Sequence, residues 1–226
     1  MKKLIFVLIL PLTLIFAQTK DEEKIIDLAG KFALMFQIDQ NFDLNSFDGM
    51  SFAGKYFFSD DWGVRFAFRT SYNEIDQSAS HSNFELDQNT NLIQDHDYVS
   101  YKVTPSILYH LLNHNSMHFF IGGGPFISYT NDEQAEVRYT KATEEGRRNN
   151  WAKYYAIGFA FYTNVEWFVS QDISLSAEYG FEYSYAEIEI WEGNYVDDDL
   201  ISEINRDSIN KSFRSLPVSL GVSIYF

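Results

Sequence analysis

Between Ile173 and Tyr185 the side chains alternate without a break. Ile173, Leu175, Ala177, Tyr179, Phe181, Tyr183 and Tyr185 share one parity; Ser174, Ser176, Glu178, Gly180, Glu182 and Ser184 take the other. Successive residues of a strand point to opposite faces, so a strand here has one apolar and one polar face. At helical spacing Glu178 and Glu182 would share faces with Tyr179 and Phe181, and nothing would be buried cleanly. The same period runs through Phe32–Ile38, Phe52–Phe58, Val64–Tyr72, Val99–Tyr109, Tyr155–Trp167 and Val218–Phe226. Phe119–Tyr129 reads as a further strand, in which Gly122-Gly123-Gly124-Pro125 blurs the parity and suggests a bulge or kink.

The pattern predicts eight strands of roughly ten residues, the length a tilted strand needs to cross a bilayer. Soluble strands more often run to about 5–6 residues. A soluble β-sandwich also alternates, with its apolar face turned to a shared core. In a membrane barrel that face meets lipid, and the other fills the lumen. The second face here is Ser, Ala, Gly and Thr with a few charges, which suits the cramped interior of a small barrel. Aromatic residues, 18% of the chain, support the barrel by position. Tyr56, Phe57, Phe58, Trp62, Trp167, Phe168, Tyr225 and Phe226 fall at one set of strand ends. Tyr72, Tyr98, Tyr101, Tyr129, Trp151, Tyr154, Tyr183 and Tyr185 fall towards the other. Two aromatic belts are expected at the two headgroup layers. Short connections (Ser59–Asp61, Leu111–Ser116, Ser170–Asp172) alternate with long ones (Asn73–Asp97, Thr130–Asn150, Glu187–Asn210). Barrels of this kind have short periplasmic turns and longer external loops, and an even strand count puts both termini on the periplasmic side.

Residues 1–17 read as a signal peptide: Met1-Lys2-Lys3 is basic, Leu4–Phe16 is apolar, and Ala17 is a small residue at the cut. Residues 18–226 are then a single barrel domain. No other apolar run is long enough for a membrane helix. The absence of cysteine excludes disulfides, thiolate metal sites and a thiol nucleophile. A net charge of −15 argues against nucleic acid as a partner.

The final stretch, Gly221-Val222-Ser223-Ile224-Tyr225-Phe226, is the most specific motif. With it the chain resembles the small eight-stranded outer-membrane β-barrels of the OmpA-transmembrane and OmpX type, over about residues 25–226. The resemblance implies an all-β, antiparallel up-and-down barrel in the outer membrane of a diderm bacterium. It also implies insertion by the outer-membrane assembly machinery, read through Gly221, Ile224 and Phe226. Outer-membrane lipid and lipopolysaccharide are then its immediate partners.

Inward parity carries Lys31, Lys55, Arg65, Arg69 and Lys102 against Glu166, Glu178 and Glu182. Charges inside a narrow barrel must pair or be hydrated, so these eight are expected to form a structural salt-bridge plug. Nothing in the sequence asks for a cofactor, a metal or a catalytic residue. His110, His114 and His118 surround a short turn without metal-ligand spacing on one strand face. His114 and Ser116 have the two-residue spacing used by lipid A deacylases, on the side away from lipid A and with no acid partner in evident position. The connection Glu187–Asn210 is strongly acidic, and Asp197-Asp198-Asp199 lacks the spaced ligands of a calcium loop. The leading functional expectation is a non-enzymatic structural or surface-interaction protein acting through external loops whose ligand the sequence does not name. A narrow channel is the first alternative and an outer-membrane enzyme acting on lipid A the second.

Overall fold

A computed structural model describes residues 27–43, 48–83, 88–140, 143–196 and 199–226. The proposed signal peptide lies outside the described residues. The described chain is all-β: β1 (Phe32–Asp43), β2 (Asp48–Phe57), β3 (Trp62–Asn83), β4 (Gln88–His114), β5 (Met117–Thr140), β6 (Thr143–Phe168), β7 (Ile173–Val196), β8 (Asp199–Ser215) and β9 (Ser219–Tyr225). Each strand from β1 to β7 pairs antiparallel with the next. The ring closes where β9 pairs with β7 on one side and with β1 on the other, from Ala33↔Tyr225 to Asp39↔Ser219.

β8 and β9 are two lengths of one stave. Both pair with β7, β9 over its lower part and β8 over Phe181–Val196. They are separated by Leu216-Pro217-Val218. Proline has no N–H to give to a ladder, so the strand breaks there. Leu216 N–H still donates to Gly180 O at 2.8 Å, which keeps the two lengths in line. The architecture is therefore an eight-stave, antiparallel, up-and-down barrel.

Apolar side chains point outward all around it. Phe66, Ile107, Ile127, Phe161 and Leu220 are exposed, while Ser174, Ser223, Lys55 and Glu182 are buried inside. A soluble protein does not tolerate a continuous apolar girdle of this kind. A bilayer requires one, and requires a closed ring with every backbone group paired.

Three expectations are corrected. The three long connections are not loops. β3 and β4 stay paired from Asn73↔Tyr98 to Asn83↔Gln88, and the β5–β6 and β7–β8 hairpins continue likewise. Above the girdle both faces meet water, so the hydrophobic alternation fades although the ladder continues. The result is a six-stranded sheet, β3 to β8, standing beyond the girdle. Among the described residues its edges are β3 above Thr70, paired only with β4, and β8, paired only with β7.

The aromatic belt is also narrower than the sequence suggests. Phe57, Phe168 and Tyr225 are buried in the lumen, because neighbours such as Tyr56 and Phe57 cannot both face lipid. With Leu28, Ala33, Leu108, Phe120 and Tyr162 they form an apolar floor at the short-turn end. Tyr98 and Tyr154 likewise fall on the inward parity, register partners of Asp132 and Thr130.

Finally, the glycine run in β5 is not a bulge. Its pairing with β6 is unbroken; on the other side the pairing with β4 lapses between Val103↔Ile127 and Ile107↔Gly123 without a change of register, and the register shift lies further on, between His110 and Leu112. The glycines make room instead. A Cβ on Gly124 would sit 1.9 Å from Pro105 O, and one on Gly122 would meet the Tyr162 ring at 2.5 Å.

Candidate functional site

The lumen is filled by tiers of charge above the apolar floor. In the lowest tier Lys55 of β2 donates to Glu166 of β6, to Ser223 Oγ at 3.0 Å and to Tyr225 Oη at 3.2 Å. Three ammonium hydrogens thus find three acceptors. Glu166 also accepts from Tyr225 Oη at 2.5 Å and Ser174 Oγ at 2.9 Å. Both charged side chains are 2% exposed. In the next tier Arg65 of β3 pairs with Glu178 of β7 and lies over the Tyr162 ring, 3.9 Å from its centroid. Asn164 Nδ2 donates to Glu178 at 3.4 Å. Higher still, Lys102 of β4 pairs with Glu182 of β7 and lies 3.9 Å from the Phe126 ring centroid. Arg214 of β8 donates to the other oxygen of Glu182 at 2.6 Å.

The Lys55–Glu166, Arg65–Glu178 and Lys102–Glu182 pairs join strands that are not neighbours, so the tiers act as crossbars, while Arg214 meets Glu182 from the adjacent strand. Uncompensated buried charge costs several kcal/mol, and here the partner comes from the opposite wall. Seven of the eight inward charges named from the sequence lie in these tiers or beside them. Arg69 faces Asp39 at 3.7 Å. Lys31 does not join them. It sits at the short-turn mouth, where Nζ donates to Gln171 O at 3.4 Å. Sequence reasoning missed Asp39, Tyr225 and Arg214. The first two lie on the inward parity of β1 and β9 and were legible from it. Arg214 was not, because Pro217 breaks the stave before its parity can be carried over.

At the short-turn end His110 and His118 stack with centroids 4.9 Å apart, and His118 is fully buried against Phe168. His114 and Ser116 flank Asn115, whose φ of 55° makes the two-residue turn between β4 and β5. Among the described residues no group of three or more His, Asp or Glu is placed to hold a metal ion. Asp197 and Asp198 lie outside the described residues. Outside the strands at the short-turn end, Ala29 N–H donates to Asp27 at 2.9 Å and holds that carboxyl below its ordinary value. The facing Asp60 is raised by its hydrogen bond with Asp27.

The terminal motif forms the closing seam. Gly221 faces Gln37 across the β1–β9 ladder, and a Cβ there would come within 2.8 Å of Gln37 Cγ. Ile224 and Phe226 face outward, and Phe226 stacks on Phe32 at 6.5 Å.

No family model matches the chain, and no curated protein does either. Solved structures do. Ail, the attachment invasion locus protein of Yersinia pestis, is 15% identical over 88% of this chain and 99% of that one, with a TM-score of 0.38. CarO2 of Acinetobacter baumannii is 13% identical over 87% and 98%, at 0.47. The outer-membrane protein OprG of Pseudomonas aeruginosa is 11% identical over 88% and 97%, at 0.43. The chain resembles small outer-membrane β-barrel proteins. At such identities the likeness is one of fold, and no residue role is carried across.

Proposed function

We propose that this is an integral outer-membrane barrel whose work is done by its projecting sheet, in a non-enzymatic structural or surface-interaction role. Both termini then lie in the periplasm, and Gly221, Ile224 and Phe226 serve as the assembly signal. The carrying observation is the continuation of β3 to β8 as paired strands beyond the girdle. From Asn73 to Asn83 the sheet rises by roughly 30 Å at about 3.3 Å per residue. Its two edges leave alternate N–H and C=O groups free, and extended segments of other proteins bind such edges through main-chain hydrogen bonds. The stacked ion pairs beneath support a closed plug over an open channel.

The test compares cells carrying the full chain with cells whose three hairpins are cut back to the level of Tyr72, Tyr129 and Tyr185. Adhesion to immobilised serum and matrix proteins is measured beside solute uptake. Adhesion lost with the hairpins, at unchanged uptake, is the expected result. Equal adhesion by both, or a steady single-channel conductance in a planar bilayer, overturns the proposal.

A further inference from the structure

Between the Arg65–Glu178 tier and the Lys102–Glu182 tier the lumen holds a chamber of about 50 Å³. At roughly 30 Å³ per water it has room for one or two waters, or for one small ion. Its wall is rich in donors. Arg65, Arg69, Lys102 and Gln37 line it, with Glu178 the one carboxylate among the lining residues. Glu178 is already committed to Arg65 and to Asn164 Nδ2. Glu182 and Asp39, which face Lys102 and Arg69, stand outside the wall.

Among the described residues three polar atoms of this wall have no hydrogen-bond partner, Gln37 Nε2, Arg65 Nε and Tyr162 Oη. Ser51 Oγ donates to Gln37 Oε1 at 3.4 Å, which leaves Gln37 Nε2 unmatched. Arg65 spends its terminal nitrogens on Glu178, and its Nε is unmatched. These side chains are only 4% and 6% exposed. A buried donor without an acceptor costs about 1–3 kcal/mol, more when it is charged, so a wall like this asks for an occupant. Arg69 adds to the demand. At 3.7 Å its contact with Asp39 is an ion pair but too long for a hydrogen bond.

We propose that the chamber is a binding site for one small monovalent anion of halide size. A neutral water can bridge these donors to the hydroxyls of Ser51, Thr104 or Tyr162, but only an anion is drawn by the three cations of the wall, Arg65, Arg69 and Lys102, set against its one carboxylate. Towards the projecting sheet the nearest exposed charges are basic, Arg69 of the wall at 30% exposed and Arg214 beside Glu182 at 67%. From below, the Arg65–Glu178 tier, the Lys55–Glu166 tier and the aromatic floor close the chamber. The site is independent of any partner of the projecting sheet. It makes the stability of the barrel depend on the halide outside, since a ligand that binds only the folded form stabilises it by mass action.

The experiment is crystallisation of the refolded barrel from sodium bromide, with data collected at the bromine absorption edge. The expected result is one anomalous peak in the chamber, within hydrogen-bonding distance of Arg65 Nε and Gln37 Nε2. In solution, the temperature at which the folded band is lost on an unboiled gel is expected to rise in bromide relative to gluconate at equal ionic strength. Arg69→Gln, which leaves the lower tiers intact, should weaken that response about tenfold in bromide concentration, as expected for one lost charge-assisted contact. Gln37→Leu removes an uncharged donor and serves if Arg69→Gln does not fold. A chamber without a bromide peak, or occupied by water alone, overturns the proposal. So does an equal bromide response in the wild type and both variants.

Discussion

Glu166→Ala should destabilise the barrel by about 3–5 kcal/mol, the cost of removing one partner of a buried ion pair. The change strips Lys55 of its counter-ion in a place that water does not reach, since both side chains are 2% exposed. It also removes the acceptor of Tyr225 Oη and Ser174 Oγ, so three donors lose a partner at once. The measurement is the urea midpoint of unfolding in detergent, followed by loss of the folded band on unboiled gels. The double variant Lys55→Met with Glu166→Leu should recover most of the loss. An apolar pair of similar volume needs no counter-charge, and such replacements are often neutral or better. If Glu166→Ala unfolds at the wild-type midpoint, the lowest tier contributes no stability and the plug is not structural.

Phe161→Arg should cost about 2–4 kcal/mol, the penalty for a cation on the lipid face near the bilayer midplane. Phe161 is 60% exposed in the ring and lies midway along the girdle part of β6, between Trp167 and Tyr155. Ile209→Arg is the control. Ile209 is 63% exposed and pairs with Glu187, above the level of Tyr185. A surface substitution there should change stability by no more than about 0.5 kcal/mol. Both are measured as urea midpoints in lipid bilayers. Exposure alone would make the two substitutions equivalent, and only a bilayer around Phe161 separates them. Equal midpoints would mean that the girdle does not face lipid.

The barrel was legible because one face of every stave answers to a single solvent. From Ile173 to Tyr185 the outward residues meet lipid and the inward ones meet other side chains, so the period of two is written plainly. Lys55, Arg65, Lys102, Glu166, Glu178 and Glu182 could be read off the same parity before any partner was known. Which cation meets which carboxylate could not, because that depends on strand tilt and on pairing across the barrel. Lys55 of β2 reaches Glu166 of β6, and no local pattern joins them. The projecting sheet was illegible for the opposite reason. At Glu187–Ile190 the outward parity passes from apolar residues to Glu187 and Glu189, because with water on both faces nothing forces the outward residues to be apolar. Phe57, Phe168 and Tyr225 stand at strand ends, where a belt is expected, yet lie on the inward parity, and the floor of the lumen obeys parity.

The most direct test of the membrane-spanning barrel is fractionation of expressing cells, followed by electrophoresis of the outer-membrane fraction with and without boiling. A closed eight-stave barrel predicts that the protein stays with the outer membrane and runs faster unboiled than boiled, because the paired ring resists detergent until heated. A protein that leaves with the soluble fraction and runs at one position under both conditions would contradict the account. The apolar face would then be packed against a core instead of lipid.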